Sequence, residues 1–285
     1  MRKVLLASNG PHFSDKAFEF IRHMNEEEKV LATGVFLATA ESPALWNYAS
    51  GATGPLMLPV EEDSDHTNVS SSVRHFEELC RKNDIEYRIH TDNNEFAIKE
   101  LKEESRFADL MVIGTSCFYA NRKEHPNSYL MDVLHESECP VLAVPESYTY
   151  PGKIVLTYDG SASSVHAIKQ FIYLFPEWKD KPAILVFAGN QEKIPYQVSM
   201  EELASRHFND LAIQQLPIDA VKYLTVWLEN ERDAIIVTGS SGRSRWTPLW
   251  GRKDFLSELL EDQHEHYLYE QKLEGNCLPV FIAHR

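Results

Sequence analysis

The sequence predicts two consecutive α/β domains, each built on a doubly wound parallel sheet. Three observations lead there. Short continuous apolar runs, such as VLLA, IVLT, LMVI and AIIV, recur along the chain; strands buried on both faces read this way, as in parallel sheets. These runs alternate with stretches of helical period, which implies right-handed crossovers between parallel neighbours. The chain also repeats itself once: residues 2–10 read RKVLLASNG and residues 152–160 read GKIVLTYDG, 150 positions later.

The elements follow in order. The first half reads as strand 2–8, helix 14–24, strand 30–37, helix 69–83, strand 86–91, helix 94–105, strand 109–114, helix 127–137 and strand 141–145. The second reads as strand 153–158, helix 163–175, strand 183–188, helix 199–209, strand 211–216, helix 219–230, strand 234–238, helix 253–272 and strand 279–284. Two further matches support the duplication. DLMVIGTS at 109–116 parallels AIIVTGSS at 234–241, and ECPVLAVP at 138–145 parallels NCLPVFIA at 276–283. ESYTYPG at 146–152 carries turn residues and no apolar period, so the domains are 1–147 and 148–285.

The halves differ in spacing. Gly10 and Gly114 are 104 residues apart, against 79 between Gly160 and Gly239. The surplus fits the polar segment around 40–68. Gly114 precedes Pro140 by 26 residues and Gly239 precedes Pro279 by 40, which places an insertion near 262–275. The segment 255–276 has the spacing of an amphipathic helix, either packed within its domain or offered to a partner.

Composition narrows the function. The formal net charge of −15 disfavours nucleic acid and acidic membrane surfaces as partners. No stretch approaches the ~20 apolar residues of a membrane span, and the VLLA run near the start is too short for a secretory signal. The cysteines, Cys80, Cys117, Cys139 and Cys277, form no CxxC pair and suit small buried positions in a reducing compartment. A cytoplasmic protein is expected. His264 and His266 lie two apart, which puts them on different faces of a helix, so no metal site is expected.

Ligands of open parallel sheets bind beyond the carboxyl ends of the strands, where strand order reverses. Two loops per half reach that edge. After the first strands come Asn9-Gly10 and Asp159-Gly160-Ser161. After the fourth come Gly114-Thr115-Ser116 and Gly239-Ser240-Ser241-Gly242. The loop from Gly239 carries Arg243, Arg245, Arg252 and Lys253 before the acid Asp254. Glycines let main-chain N–H groups approach an anion, a helix start adds its positive end, and the cations neutralise phosphates. An ordinary glycine turn with solvated arginines is the competing reading. Asp159 can accept a hydrogen bond from a base or ribose, or it can close an Asx turn or cap the helix beginning near Ser163. Trp246 and Trp250 flank Pro248 in the basic loop and suit either base stacking or packing. Ser161 and Ser240 lie near Asp159, but no histidine is placed beside them and no GxSxG elbow occurs.

With these residues assembled, the chain resembles the universal stress protein family in tandem form, with its adenine nucleotide alpha hydrolase-like fold. The resemblance spans the whole chain, once per half, through element order, the DGS and GxxG segments and the CPV-like closing strands. It implies a regulatory stress-response protein that binds ATP with Mg²⁺, with at most slow hydrolysis. It also implies that the two halves pack as a pseudo-dimer, and it leaves further homo-oligomerisation open. The family's phosphate motif places Gly, two residues, Gly, nine residues, then Gly-Ser or Gly-Thr after the fourth strand. In half two, Gly239 and Gly242 match, and Arg252 and Lys253 occupy the Gly-Ser positions. In half one, Gly114 matches, Cys117 replaces the second glycine, Asn127 and Ser128 fall on the Gly-Ser positions, and Asn9 replaces the Asp. The second half is therefore the expected ATP site. The alternative is the same fold without nucleotide, acting as a protein-interaction module.

Overall fold

The computed structural model describes residues 1–9, 13–37, 62–92, 97–115, 133–134, 136–187, 193–216, 224, 227–228, 231–239 and 278–283. The elements are β1 (Arg2–Asn9), α1 (Asp15–Glu27), β2 (Val30–Leu37), α2 (Glu62–Lys82), β3 (Glu86–Asp92), α3 (Ala97–Ser105), β4 (Leu110–Gly114) and β5 (Val141–Val144). Then follow β6 (Lys153–Tyr158), α4 (Ala162–Leu174), a 3-10 turn (Pro176–Asp180), β7 (Ala183–Phe187), α5 (Gln197–Ser205), β8 (Leu211–Gln215), β9 (Ala234–Gly239) and β10 (Val280–Ala283). The helices expected at 127–137, 219–230 and 253–272 lie largely or wholly outside the described residues.

All described strands join one ten-stranded sheet in the order β3-β2-β1-β4-β5-β10-β9-β6-β7-β8. Read outward from the centre, the order is 5-4-1-2-3 on one side and 10-9-6-7-8 on the other. Each set is parallel within itself. The two sets meet where β5 and β10 pair antiparallel, with Phe281 opposite Leu142. On each side the chain lays strands outward and then crosses back, so β1/β4 and β6/β9 are the points where strand order reverses.

Side chains alternate across the sheet and build two core layers. Val4, Leu6, Leu142, Leu156, Val237 and Phe281 point to one face, under α1, α2, α4 and α5. Leu5, Ala7, Ala143, Val155, Ile236 and Ile282 point to the other, where Leu101, Leu134 and Leu228 cover them. Each layer draws residues from both sets of strands. Strands β4, β5 and β10 are buried at every position, which is why they appear as unbroken apolar runs. The edge strand β8, LAIQQ, is partly or fully exposed throughout.

The helices begin where the local chemistry dictates. Ser14 caps α1, its Oγ accepting from Ala17 N at 3.1 Å, and Asp15 places an acid at the positive end. Its buried residues, including Ala17, Phe20, Ile21 and Met24, recur at helical spacing and face the sheet. The 3-10 turn has Pro176 at its start and buries Trp178 completely.

Trp178 lies at the junction of the two strand sets. Its ring centroid is 6.3 Å from that of Phe20 and 5.8 Å from that of Phe171. Its Nε1 donates to Glu27 Oε2 at 3.0 Å. Arg2, at the start of β1, donates to the Leu174 carbonyl at the end of α4, and pairs with Glu177 at 3.0 Å and Glu28 at 3.2 Å. Lys181 Nζ lies 3.9 Å from the Trp178 ring centroid and 4.9 Å from that of Tyr150, and burial lowers its pKa.

Truncating Trp178→Ala is expected to cost about 3–5 kcal/mol, the range for a buried aromatic. Trp178→Phe, which keeps most of the packing and loses the bond to Glu27, is expected to cost about 1–2 kcal/mol. Urea denaturation followed by circular dichroism measures both, and equal losses would refute the role given to the packing. The thiols of Cys80 and Cys139 are buried, which pushes their pKa values up to about 12 and about 11. Both are expected to resist alkylation at pH 8 in the native protein and to react fully in urea, as peptide mass spectrometry reads directly.

Candidate functional site

The carboxyl edge of β6 and β9 brings Asp159, Gly160 and Ser161 to the same end of the sheet as Gly239. The loop leaving β6 is tightly ordered. Asp159 Oδ1 accepts from Ser161 N at 2.8 Å, closing an Asx turn. Gly160 has φ +83, a left-handed conformation that a side chain would strain. A Cβ there would also lie 2.9 Å from Pro195 Cγ. Ser161 is the N-cap of α4, its Oγ accepting from Ser164 N at 3.1 Å, while Ser164 Oγ donates to Ser161 O at 2.9 Å. Of the roles open to Asp159, the structure forms the Asx turn. The cap falls to Ser161, and the helix starts at Ala162, one residue before Ser163.

Gly239 ends β9 directly against the first turn of α4. A Cβ on it would sit 2.6 Å from Ser163 C, 2.7 Å from Ser163 O and 2.8 Å from Ser164 N. This glycine is required by main-chain approach, but the main chain that approaches is the protein's own. Thr157, one turn of the pleat behind the edge, donates from Oγ1 to Val237 O at 2.9 Å and ties β6 to β9. Ser240, Ser241, Gly242, Arg243, Arg252 and Lys253 lie outside the described residues.

In the first half, β1 ends at Asn9 and β4 at Gly114, with Thr115 half-buried just beyond. Ala7 is in register with Ile113, so Asn9 and Gly114 share the corresponding edge. Asn127 and Ser128 lie outside the described residues. Among the described residues no group of three His, Cys, Asp or Glu side chains is disposed to hold a metal, and no helix is long and apolar enough to cross a membrane.

Sequence reasoning passed over the segment that faces the Asx turn. Tyr158 Oη donates to Pro195 O at 2.8 Å, and burial, then the neighbouring Asp159, raises its pKa. Next to Pro195, Tyr196 adopts φ +50 and is 77% exposed. The signal available in the sequence was the pair of stripes Ala162, Val165, His166, Lys169 and Tyr196, Ser199, Met200, Leu203, both at i, i+3, i+4, i+7 spacing.

No family model and no curated protein matches the sequence. Solved structures do match the fold. A universal stress protein from Archaeoglobus fulgidus aligns with 100% of this chain and 96% of its own at a TM-score of 0.60 and 12% identity. A putative universal stress protein from Pseudomonas aeruginosa covers 100% and 93% at 0.51 and 14% identity. A functionally unknown protein from Pseudomonas aeruginosa covers 100% and 92% at 0.52 and 13% identity. The chain has the universal stress protein fold along its whole length.

The turn geometry separates two substitutions. Gly239→Ala is expected to cost about 1–3 kcal/mol through overpacking against Ser163. Asp159→Asn keeps an oxygen acceptor for Ser161 N and is expected to change stability by less than about 0.5 kcal/mol. Chemical denaturation of the two variants checks this, and a large loss in Asp159→Asn would show that the charge itself holds the turn.

Proposed function

We propose that the chain is a tandem universal stress protein, with one copy of the domain in residues 1–147 and the second in 148–285. We propose further that the second copy binds ATP with Mg²⁺. The observation that carries this reading is the meeting of Asp159-Gly160-Ser161 and Gly239 at the β6/β9 reversal point, where ligands of open parallel sheets collect. The mirrored strand order about β5 and β10 supports the duplication.

In this reading Asp159 stands beside the base or ribose. Its Oδ1 is held by Ser161 N, which fixes the carboxylate as an oriented acceptor for a ligand donor. The segment from Gly239 to Gly242 would line the phosphates, with Arg243, Arg252 and Lys253 supplying positive charge in a chain of net −15. Magnesium would supply charge neutralisation on the phosphate oxygens. The role is regulatory binding with at most slow hydrolysis. Packing of the two copies as a pseudo-dimer, and a further homo-oligomer, belong to the same proposal.

A second reading has its own support. Asp159 and Gly239 both have structural duties in the absence of any ligand, one as turn acceptor and one as packing glycine. The same fold without nucleotide, acting through protein contacts, accounts for them equally.

Thermal unfolding with ATP and Mg²⁺ decides between the readings. Ligand at ~100 times its dissociation constant is expected to stabilise by about 2.7 kcal/mol. Replacing Arg252 and Lys253 by Ala is expected to shrink the shift. Absence of any shift at millimolar ATP selects the second reading, and a shift untouched by the double replacement removes those two residues from the site.

A further inference from the structure

A cleft of about 650 Å³ lies between α4 and α5, on the far side of α4 from Gly239. The two sides of α4 are distinct. Ser163 and Ser164 meet Gly239, while Ala162, Val165, His166 and Lys169 line the cleft. The facing wall is Tyr196, Ser199, Met200 and Leu203 from α5. Facing stripes of this spacing normally interlock; here they stand apart, and the space sits within the range of small-molecule sites.

We propose that this cleft binds a small planar aromatic anion. Val165, Met200 and Leu203 give apolar wall, and the rings of Tyr158 and Tyr196 give flat surface. Methionine sulfur adds a soft contact suited to an aromatic ring. Tyr196 holds a left-handed backbone at the start of α5 and exposes most of its side chain. Non-glycine residues rarely adopt that conformation, and those that do concentrate at functional positions.

The polar lining is one-sided. Among the described residues it comprises Lys169, His166 and the hydroxyls of Ser161, Ser199 and the two tyrosines, with no acidic side chain among them. That is notable in a chain with 43 acidic residues against 28 basic ones. Asp159, beside Tyr158 and Gly160 in sequence, is drawn into the Asx turn, and Glu201 and Glu202, between Met200 and Leu203, are not among the described residues that line the cleft. Lys169 is exposed on α4 and forms no ion pair among the described residues, so its charge is available to an anion at the mouth.

The cleft is separate from the nucleotide reading, although Gly160 and Ser161 border both. The test uses the full-length chain with 2-naphthoate as probe and saturation-transfer NMR as readout. The ring protons are expected to receive saturation, and a shift titration to give a measurable dissociation constant. The neutral analogue 2-naphthamide is expected to bind about tenfold more weakly, as is 2-naphthoate to Lys169→Glu. Ser199→Trp, which fills the cleft from an exposed position, is expected to abolish the signal with thermal unfolding unchanged. Excess ATP with Mg²⁺ is expected to leave the naphthoate constant unchanged, whether or not ATP itself stabilises the protein. The proposal is overturned by absence of saturation, by equal binding of the amide, by indifference to either substitution, or by displacement with ATP, which would assign the cleft to the nucleotide.

Discussion

Burial of the central strands on both faces is the constraint from which the rest of the molecule follows. Every residue of β4, β5 and β10 is buried, so helices must cover both sides of the sheet, and side chains there have no access to solvent or ligand. Thr157, a polar side chain that does enter, is paired with the Val237 carbonyl. Chemistry is thereby pushed to the strand ends and to the gaps between helices. The antiparallel pairing of β5 with β10 extends the same logic, because it removes two sheet edges and leaves β3 and β8 outermost.

The junction of the two strand sets combines apolar packing with a charged clasp. Phe20 comes from α1, Phe171 from α4, Phe175 from the residue between α4 and the 3-10 turn, Trp178 from that turn and Phe281 from β10, and their rings meet edge to face or tilted. Such pairs add to the area they bury. Arg2 is nearly enclosed among them, and a buried cation is tolerable only when well paired. Glu28 from the first half and Glu177 from the second both reach it. The clasp therefore specifies how β1 sits against the end of α4, while the aromatic rings carry most of the energy.

Much of this was legible in the sequence because it depends on local pattern. The strands at 30–37 and 153–158 coincide with β2 and β6, since their apolar runs are bounded by charged or turn residues. Helix limits were less legible. α2 begins at Glu62, ahead of residue 69, because its first turns are polar and carry no apolar stripe. α5 ends at Ser205, ahead of residue 209, where the apolar spacing continues through Phe208 beyond the last turn. The 3-10 turn at Pro176–Asp180 escaped notice because a proline after a helix reads only as a stop. At the site, Gly239 was recognised as a point of main-chain approach, but the sequence does not say whose main chain. Asp159 was readable as an acceptor, with the identity of its donor open. The α4–α5 cleft was invisible for a different reason: the stripes at 162–169 and 196–203 are plain, and the distance between two helices is not a local property.

The first turn of α4 emerges as the organising element of the functional edge. Its cap, Ser161, is also the donor to Asp159, so the turn before the helix and the helix start form one hydrogen-bonded unit. Gly239 fits beneath one side of that unit, and Pro195 packs against Gly160 on another. A loop fixed at this many points loses little further conformational freedom when a ligand arrives, which is the condition under which modest contacts give useful affinity. The same bonds make the loop self-sufficient when nothing is bound. Rigid geometry at the reversal point is thus a shared requirement of fold and of ligand binding. For this reason Asp159, Gly160 and Gly239 serve the turn whether or not a nucleotide binds beside it, and they do not by themselves separate the two readings.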